Sequence, residues 1–242
     1  DDGRPIVELA PTPDAPPRAP GTTGLFHLAI LVPSRVELAR ALRRVSESGW
    51  RFTGASDHLV SEALYLRDPE GNGIEIYRDR AREEWRHVDG EIAMDTLPLD
   101  LEAVLEELPD DNSRAGGMPS GTRLGHVHLN VADLRSSEAF YAGALGLDVT
   151  VRGYPGALFV SAGGYHHHVG LNTWMGEGAP PPPPGARGLD RFEIVLPSAA
   201  ELDAAGQRLA AAGVEAGRSE EGLAVVDPAG NRLLLRPTPA AA

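Results

Sequence analysis

The sequence contains no cysteine, and this absence excludes several kinds of chemistry at once. With no thiol among 242 residues, the chain cannot form disulfide bonds, thiolate nucleophiles or zinc–thiolate sites. Histidine, aspartate and glutamate remain as the side chains that can ligate a metal ion. The lack of cysteine also fits a cytoplasmic protein, which is the location that we predict.

Positive charge and long apolar runs are scarce as well. The chain carries 22 lysines and arginines against 35 aspartates and glutamates, a net charge of −13. Because nucleic acids and anionic membranes attract basic surfaces, neither is expected as a partner. No apolar run approaches the length of a membrane span, and no signal-peptide pattern stands at the N-terminus. Apolar residues make up 42% and charged residues 24%, which is typical of a globular protein with one large or two ordinary domains.

A unit of one strand, one helix and several strands recurs along the chain. Its first complete copy has a predicted strand over Leu25–Val32, a helix after the N-cap Ser34, and further strands up to Tyr77. The turn Asp-Pro-Glu-Gly-Asn at Asp68–Asn72 returns as Asp-Pro-Ala-Gly-Asn at Asp227–Asn231. Strand pattern, helix, turn and spacing recur together, so the chain is predicted to consist of repeated modules.

Two further copies follow the first. The second has a strand at Leu124–Val131 and a helix at Leu134–Leu145, and the third begins at Arg191. The opening segment Gly3–Leu9 is interpreted as the last strand of another copy whose beginning is absent. Residue 1 is Asp rather than Met, so we expect the chain to be a fragment or a processed product. The predicted organisation is a truncated module with a proline-rich linker over residues 1–21, a module over 22–95, a linker with a short helix over 96–122, and a two-module barrel domain over 123–242.

The first complete copy carries a histidine in its first strand and a glutamate in its last. Glu75 lies between Ile74 and Ile76, so strand alternation sends its side chain to the opposite face from both. A carboxylate that points into an apolar interior is costly unless it is paired or bound to a metal. His27 and Glu75 are therefore candidate metal ligands, with an exposed edge-strand glutamate as the alternative.

Two stretches carry a resemblance to a known superfamily. They are Ser56–Pro69 (Ser-Asp-His-Leu-Val-Ser-Glu-Ala-Leu-Tyr-Leu-Arg-Asp-Pro) and Tyr154–Trp174, which contains Tyr-His-His-His-Val-Gly-Leu-Asn. With the repeats, they resemble the vicinal oxygen chelate superfamily of glyoxalase I, bleomycin-resistance proteins and extradiol dioxygenases, and within it the two-domain CatE-like catechol 2,3-dioxygenases. The resemblance implies an α+β fold of repeated βαβββ modules that pair into open barrels, with most of the first module missing.

The resemblance also implies a function. It indicates a metal-dependent extradiol dioxygenase that uses O₂ to cleave a catechol-like aromatic diol, with Fe(II) as the implied metal and Mn(II) as an alternative. His27 and Glu75 match metal-ligand positions, and the third ligand is expected outside this chain, which would then bind iron poorly and be inactive. Tyr65 and His58 match a tyrosine and a histidine that act on bound substrate. The alternatives are an ordinary strand aromatic for Tyr65 and a turn histidine bonded to Asp57 for His58.

The second pair of modules keeps only part of this pattern. His126 occupies the first-strand position, but Arg191 and Leu234 stand where the second histidine and the glutamate belong, and neither can ligate a cation. The run His166–His168 is placed on a strand, where its first and last members would share a face. A hydrogen-bonded structural cluster is the alternative to a weak metal site or a polar ligand pocket. The predicted second pocket consists of His126, Tyr165, His166 and His168.

Two other functions stay open. A glyoxalase- or epimerase-like lyase or isomerase would need a fourth protein ligand. A metal-free binding protein of the bleomycin-resistance type would use the pocket around His126 instead. A homo-oligomer is also compatible with the sequence, because a half barrel exposes a sheet edge that a second subunit could complete.

Overall fold

The computed structural model of the chain describes residues 5–109 and 117–238. The chain divides into two compact units, one of Asp1–Pro13 with Phe26–His128 and one of Asp14–Leu25 with Leu129–Ala242. The sequence assigns the strand that carries His126 to the second barrel domain. In the structure residues 123–128 of that strand belong to the first unit.

The first unit repeats the predicted order of strand, helix and three strands. Its sheet runs in the order β7-β2-β3-β4-β1-β8, with β1 parallel to β4 and with β2, β3 and β4 antiparallel in turn. The strands are β1 (Gly24–Leu31), β2 (Phe52–Asp57), β3 (Ser61–Arg67), β4 (Gly73–Asp79), β5 (His87–Val88), β6 (Glu91–Ile92), β7 (Leu97–Pro98) and β8 (Arg123–Asn130). The helices are α1 (Arg35–Glu47) and α2 (Leu101–Leu105), with a 3₁₀ turn at Arg82–Glu84.

Helix α1 covers one face of this sheet. Its N-cap Ser34 accepts a hydrogen bond from the amide of Glu37, as the sequence predicts. Leu38 and Leu42 on the helix are buried against Leu64 of β3, together with Val32, Ala39 and Val104. The side chains of alternate strand residues point away from the helix, and this second face carries His27 and Glu75.

The second unit contains two further copies of the same pattern. Strands β11, β10 and β9 pair antiparallel, and a separate sheet has the order β12-β15-β14-β13 with β12 parallel to β15. The strands are β9 (Asp148–Val151), β10 (Ala157–Ser161), β11 (Val169–Asn172), β12 (Phe192–Leu196), β13 (Gly217–Arg218), β14 (Leu223–Val226) and β15 (Arg232–Pro237). The helices are α3 (Leu134–Glu138), continued as a π-helix over Ala139–Ala144, and α4 (Ala199–Ala211). The predicted α+β class with repeated βαβββ modules is confirmed.

Two local predictions are wrong. The described part of Gly3–Leu9, residues 5–9, forms no strand; Leu9 is 89% exposed, and a single apolar segment without a neighbouring strand has no ladder to join. The run His166–His168 lies in the loop before β11 rather than on a strand, so strand alternation does not apply to it. Residues 110–116 of the predicted linker over 96–122 lie outside the described residues. None of the described helices is long and apolar enough to cross a membrane.

Candidate metal centre

Three ionisable side chains from three strands of the first unit meet at one point. His27 Nε2 lies 2.9 Å from Glu75 Oε2, and His126 Nε2 lies 3.3 Å from the same oxygen. The two imidazole Nε2 atoms are 3.3 Å apart. All three residues are buried, with exposed fractions of 5% for His27, 2% for Glu75 and 4% for His126.

Strand register explains this convergence. In the parallel pair β1–β4, His27 is level with Gly73 and Ala29 with Glu75, so the histidine and the glutamate project diagonally from the same face. Strand β8 lies on the other side of β1 and brings His126 to the same place. Because β4 is flanked by β3 and β1, the alternative of an exposed edge-strand glutamate is wrong.

Burial and the two imidazoles act in opposite directions on Glu75. Burial alone would raise the pKa of this carboxyl group, but the adjacent rings of His126 and His27 hold its pKa well below the usual range. Glu75 is therefore an anion at neutral pH, and it lies where two imidazole nitrogens point at the same oxygen. A buried anion of this kind is stabilised by a cation placed between the three side chains.

The donor set fits a divalent metal ion. Three ligands held at right angles about 2.1 Å from one ion would lie about 3 Å from each other, close to the 2.9 to 3.3 Å seen here. Two imidazoles and one carboxylate on one side of an ion form the arrangement typical of non-haem iron oxygenases. Within the described residues, His27, Glu75 and His126 form the one group of three such side chains close enough to hold a metal.

His126 is the residue that the sequence interpretation placed elsewhere. It was assigned to a second pocket, and the third ligand was expected outside the chain, because the modules were paired as consecutive copies. In the structure β8 lies beside β1, so the histidine of the second complete copy completes the set of the first. One signal in the sequence indicates this arrangement. His27 and His126 occupy the same position in the first strand of their copies.

Tyr65 and His58 form a hydrogen-bonded pair next to this cluster. His58 Nδ1 lies 2.7 Å from the carbonyl oxygen of Asp95, which can only accept, so this nitrogen carries the proton. The other nitrogen, Nε2, then accepts from the Tyr65 hydroxyl at 2.7 Å. Tyr65 is level with Glu75 across the β3–β4 ladder, and its ring centroid lies 5.7 Å from that of His27.

The predicted alternative for His58, a bond to Asp57, does not form. Asp57 instead accepts from the amide of Leu59 through Oδ1 and from Arg80 through Oδ2. His58 is thus oriented by Asp95 and Tyr65, and its imidazole faces the tyrosine that borders the cluster.

His128 of β8 packs against the cluster. Its ring centroid is 5.0 Å from that of His27 and 5.2 Å from that of Phe26, edge to face in both cases. Burial, with the nearby His27 and His126, holds the pKa of His128 well below its usual range. This imidazole is therefore neutral at pH 7 and forms an uncharged wall beside a metal-ligand candidate.

The histidine run of the second unit forms a separate hydrogen-bonded group. His166 Nδ1 and His167 Nδ1 are 2.8 Å apart, and His168 Nδ1 lies 2.8 Å from Ser161 Oγ. The ring of Tyr165 packs against His166 and His168, with centroids 4.1 and 4.9 Å away. His126 belongs to the first unit, so the predicted second pocket of His126, Tyr165, His166 and His168 spans two units and stays a prediction.

The positions that break the ligand pattern in the third copy carry other interactions. Arg191 lies 3.6 Å from both Glu193 and Glu221 in exposed ion pairs. Leu234 is buried in β15, level with Glu193 of β12. Neither residue takes part in a metal-ligand group.

Comparison with known proteins identifies the family. The profile of the Glyoxalase/Bleomycin resistance protein/Dioxygenase superfamily matches residues 1–76 and 123–235. The catechol-2,3-dioxygenase of Bacillus subtilis (strain 168) is 50% identical over 209 residues, which cover 85% of this chain and 72% of that protein. The biphenyl-2,3-diol 1,2-dioxygenase 3 of Rhodococcus globerulus is 34% identical over 64 residues, 26% of this chain and 34% of that one. The chain belongs to the Glyoxalase/Bleomycin resistance protein/Dioxygenase superfamily.

A solved structure supports the fold assignment. It is a candidate dioxygenase from Bacillus subtilis subsp. subtilis str. 168, which superposes with a TM-score of 0.61 at 12% sequence identity. The match covers 92% of this chain but 64% of the solved one, so this chain spans somewhat less than two thirds of that protein. At this identity the likeness establishes the fold alone.

Proposed function

We propose that the protein is an extradiol dioxygenase that cleaves the ring of a catechol-like aromatic diol. The observation that carries the proposal is the buried cluster of His27, Glu75 and His126, in which the three ligand atoms lie within 3.3 Å of one another. The 50% identity to a catechol-2,3-dioxygenase supports the same reaction.

The three side chains would hold Fe(II), with Mn(II) as the second candidate. When bound, such an ion supplies open coordination positions for the two oxygens of the diol and for O₂. Glu75 contributes the negative charge that keeps the ion in place, and its low pKa means that no proton competes for it at neutral pH. The imidazoles of His27 and His126 contribute neutral nitrogen ligands.

Tyr65 and His58 would handle the proton of the substrate. A diol must lose a hydroxyl proton before it can chelate strongly, and a positioned base speeds such a transfer. The Tyr65 hydroxyl donates to His58 Nε2, so its oxygen has lone pairs left for a substrate hydroxyl. A proton from the substrate can pass to the Tyr65 oxygen as the Tyr65 proton passes to His58. Asp95 then steadies the resulting imidazolium through its carbonyl oxygen.

The proposal is tested by metal content and oxygen uptake in matched histidine variants. The protein is stripped, reconstituted with Fe(II) without oxygen, and assayed for bound iron and for oxygen consumption with catechol. His126→Ala and His27→Ala should each weaken iron binding by at least about tenfold, since even residues behind the ligands are worth 10- to 100-fold. The exposed His87 provides the control, and His87→Ala should keep both properties.

Two outcomes would overturn the proposal. One is stoichiometric iron binding that survives His27→Ala and Glu75→Ala alike. The other is tight catechol binding in the presence of a chelator without oxygen uptake, which would favour a metal-free binding protein. A lyase or isomerase of the glyoxalase type needs a fourth protein ligand, and the described residues bring three together.

A further inference from the structure

A small cavity lies beside His27 of the candidate metal centre. Across the sheet, His27 of β1 is level with Gly73 of β4, which is in turn level with Arg67 of β3. The three residues are therefore neighbours across the three strands, and the backbone of β1 closes against Gly73. A methyl group on Gly73 would lie 2.1 Å from the carbonyl oxygen of Phe26 and 3.0 Å from His27 Cβ, so no larger residue fits there.

The cavity connects the metal-ligand histidine with a positive charge. All of its lining residues belong to the first unit, and they include His27, Tyr65 and Arg67. Because neighbouring strands are about 4.8 Å apart, the backbones of His27 and Arg67 are separated by about 10 Å. The remaining lining residues include Phe26, Thr53 and Gly73.

The guanidinium of Arg67 has different partners from those of three other arginines of the first unit. Arg35, Arg78 and Arg80 all pair with the buried carboxylate of Glu62. Arg67 donates instead to the carbonyl oxygen of Gly71, through Nη1 at 2.7 Å, and within the described chain no carboxylate lies at ion-pair distance from it. An arginine that keeps further donors of its guanidinium fork can bind a carboxylate from a ligand.

We infer that the substrate is a catechol whose ring carries an acidic arm, and that Arg67 binds this arm. The inference rests on the proposed function and adds the class of substrate to it. The diol end would meet His27 and Tyr65, and the carboxylate on the arm would reach Arg67. Arg67 is then a specificity-determining residue that touches the substrate away from the reacting atoms.

The test compares one acidic catechol with its neutral counterpart on the same enzyme. 3-(3,4-Dihydroxyphenyl)propanoate and its methyl ester differ in charge at the end of the arm but share the ring. The wild-type protein should cleave the acid with the higher kcat/KM, and Arg67→Met should reduce the ratio of acid to ester about three- to tenfold, mainly through KM. Arg67→Lys, which keeps the charge, should restore the ratio to within about twofold.

Charge reversal makes the test sharper. Arg67→Glu should favour dopamine, whose arm carries an ammonium group, over the propanoate. Arg86→Met is the control, because Arg86 is exposed and lies outside the cavity lining, and it should leave all the ratios unchanged. An unaltered ratio in Arg67→Met and Arg67→Glu, with the ester still cleaved, would refute the assignment of Arg67 alone. Failure to cleave any of these catechols, with iron bound, would instead refute the proposed function.

Discussion

At the scale of single residues, glycine sets how closely the groups around the metal centre approach. Gly125 precedes His126 in β8, and a methyl group there would lie 1.8 Å from the hydroxyl oxygen of Tyr77. Tyr77 is fully buried and its ring centroid is 4.9 Å from that of His126. Because Tyr77 is buried against His126, we expect a displacement of the tyrosine ring to move the histidine as well.

Gly125→Ala should therefore disturb the metal centre without touching a ligand atom. We expect a loss of about 1–3 kcal/mol in the free energy of unfolding from overpacking and weaker Fe(II) binding, measured by urea denaturation and by iron titration. Gly143→Ala is the control, since a methyl group there has nothing within 4 Å and should be neutral or stabilising in a helix. Unchanged iron affinity in Gly125→Ala would show that Tyr77 does not support His126.

The sequence predicts the orientation of a side chain where strand alternation alone determines it. The inward orientation of Glu75 follows from its place between two isoleucines, and the buried position agrees. The positions of Gly73, Gly125 and Arg67 around the cluster could not be predicted, because they depend on which strands become neighbours. Sequence spacing gives the face of a side chain, not the strand beside it.

At the scale of elements, the aspartate that opens each repeated turn stabilises the turn through hydrogen bonds to its carboxylate. Asp68 Oδ1 accepts from the amides of Glu70 and Asn72, and Asp227 Oδ1 accepts from those of Ala229 and Asn231. In both turns the second carboxylate oxygen binds the side-chain amide of the asparagine. In each turn one carboxylate therefore accepts from two backbone amides and from the asparagine side chain.

The two turns should nevertheless respond differently to the same substitution. Asp68→Ala should cost about 1–2 kcal/mol, the net value of its hydrogen bonds in a partly exposed turn. Asp227 is 4% exposed and also accepts from the buried Tyr141 hydroxyl at 2.8 Å. Asp227→Ala should cost about 2–4 kcal/mol, because it also leaves this hydroxyl without its acceptor. Chemical denaturation of both variants measures these losses in the free energy of unfolding. Equal losses would contradict the role of the Tyr141 hydrogen bond.

Most helices and strands could be predicted from the sequence, but which strands lie next to each other in the sheet could not. The helix after Ser34 and the further strands up to Tyr77 follow from periodicity and caps. The strand predicted over Gly3–Leu9 failed because strand propensity without a partner forms no ladder. Pairing the modules in chain order does not predict that β8 lies beside β1. No local feature of either strand identifies its neighbour in the sheet.

At the scale of the whole molecule, buried His128 should make stability depend on pH. The pKa of His128 in the folded chain is lowered well below the 6.5 of an exposed histidine. Below pH 6.5, this histidine therefore binds a proton in the unfolded chain but stays neutral in the folded chain. The contribution is fully present above pH 6.5 and is lost as the pH falls below it. The lowered pKa of Glu75 acts in the same direction, but only below its ordinary value of 4.5.

The free energy of unfolding should therefore fall by up to about 1.4 kcal/mol per pH unit below pH 6.5 on account of His128. Urea denaturation of the chelator-treated protein between pH 7.5 and 5.5 measures this slope. His128→Gln should flatten it, and His87→Gln, at an exposed position, should not. The net charge of −13 contributes a background common to all variants, so the difference between slopes isolates His128. Equal slopes in all three proteins would contradict the assignment.

The distance along the chain between His27 and His126, 99 residues, has a consequence for how the protein is made. When the ribosome has released the ladder of β1 and β4, His27 and Glu75 are already together, but the third ligand is still unsynthesised. Closing so long a loop carries an entropic cost that β8 must repay by pairing with β1. A divalent ion that needs all three side chains would therefore be captured only after the chain has been synthesised past His126.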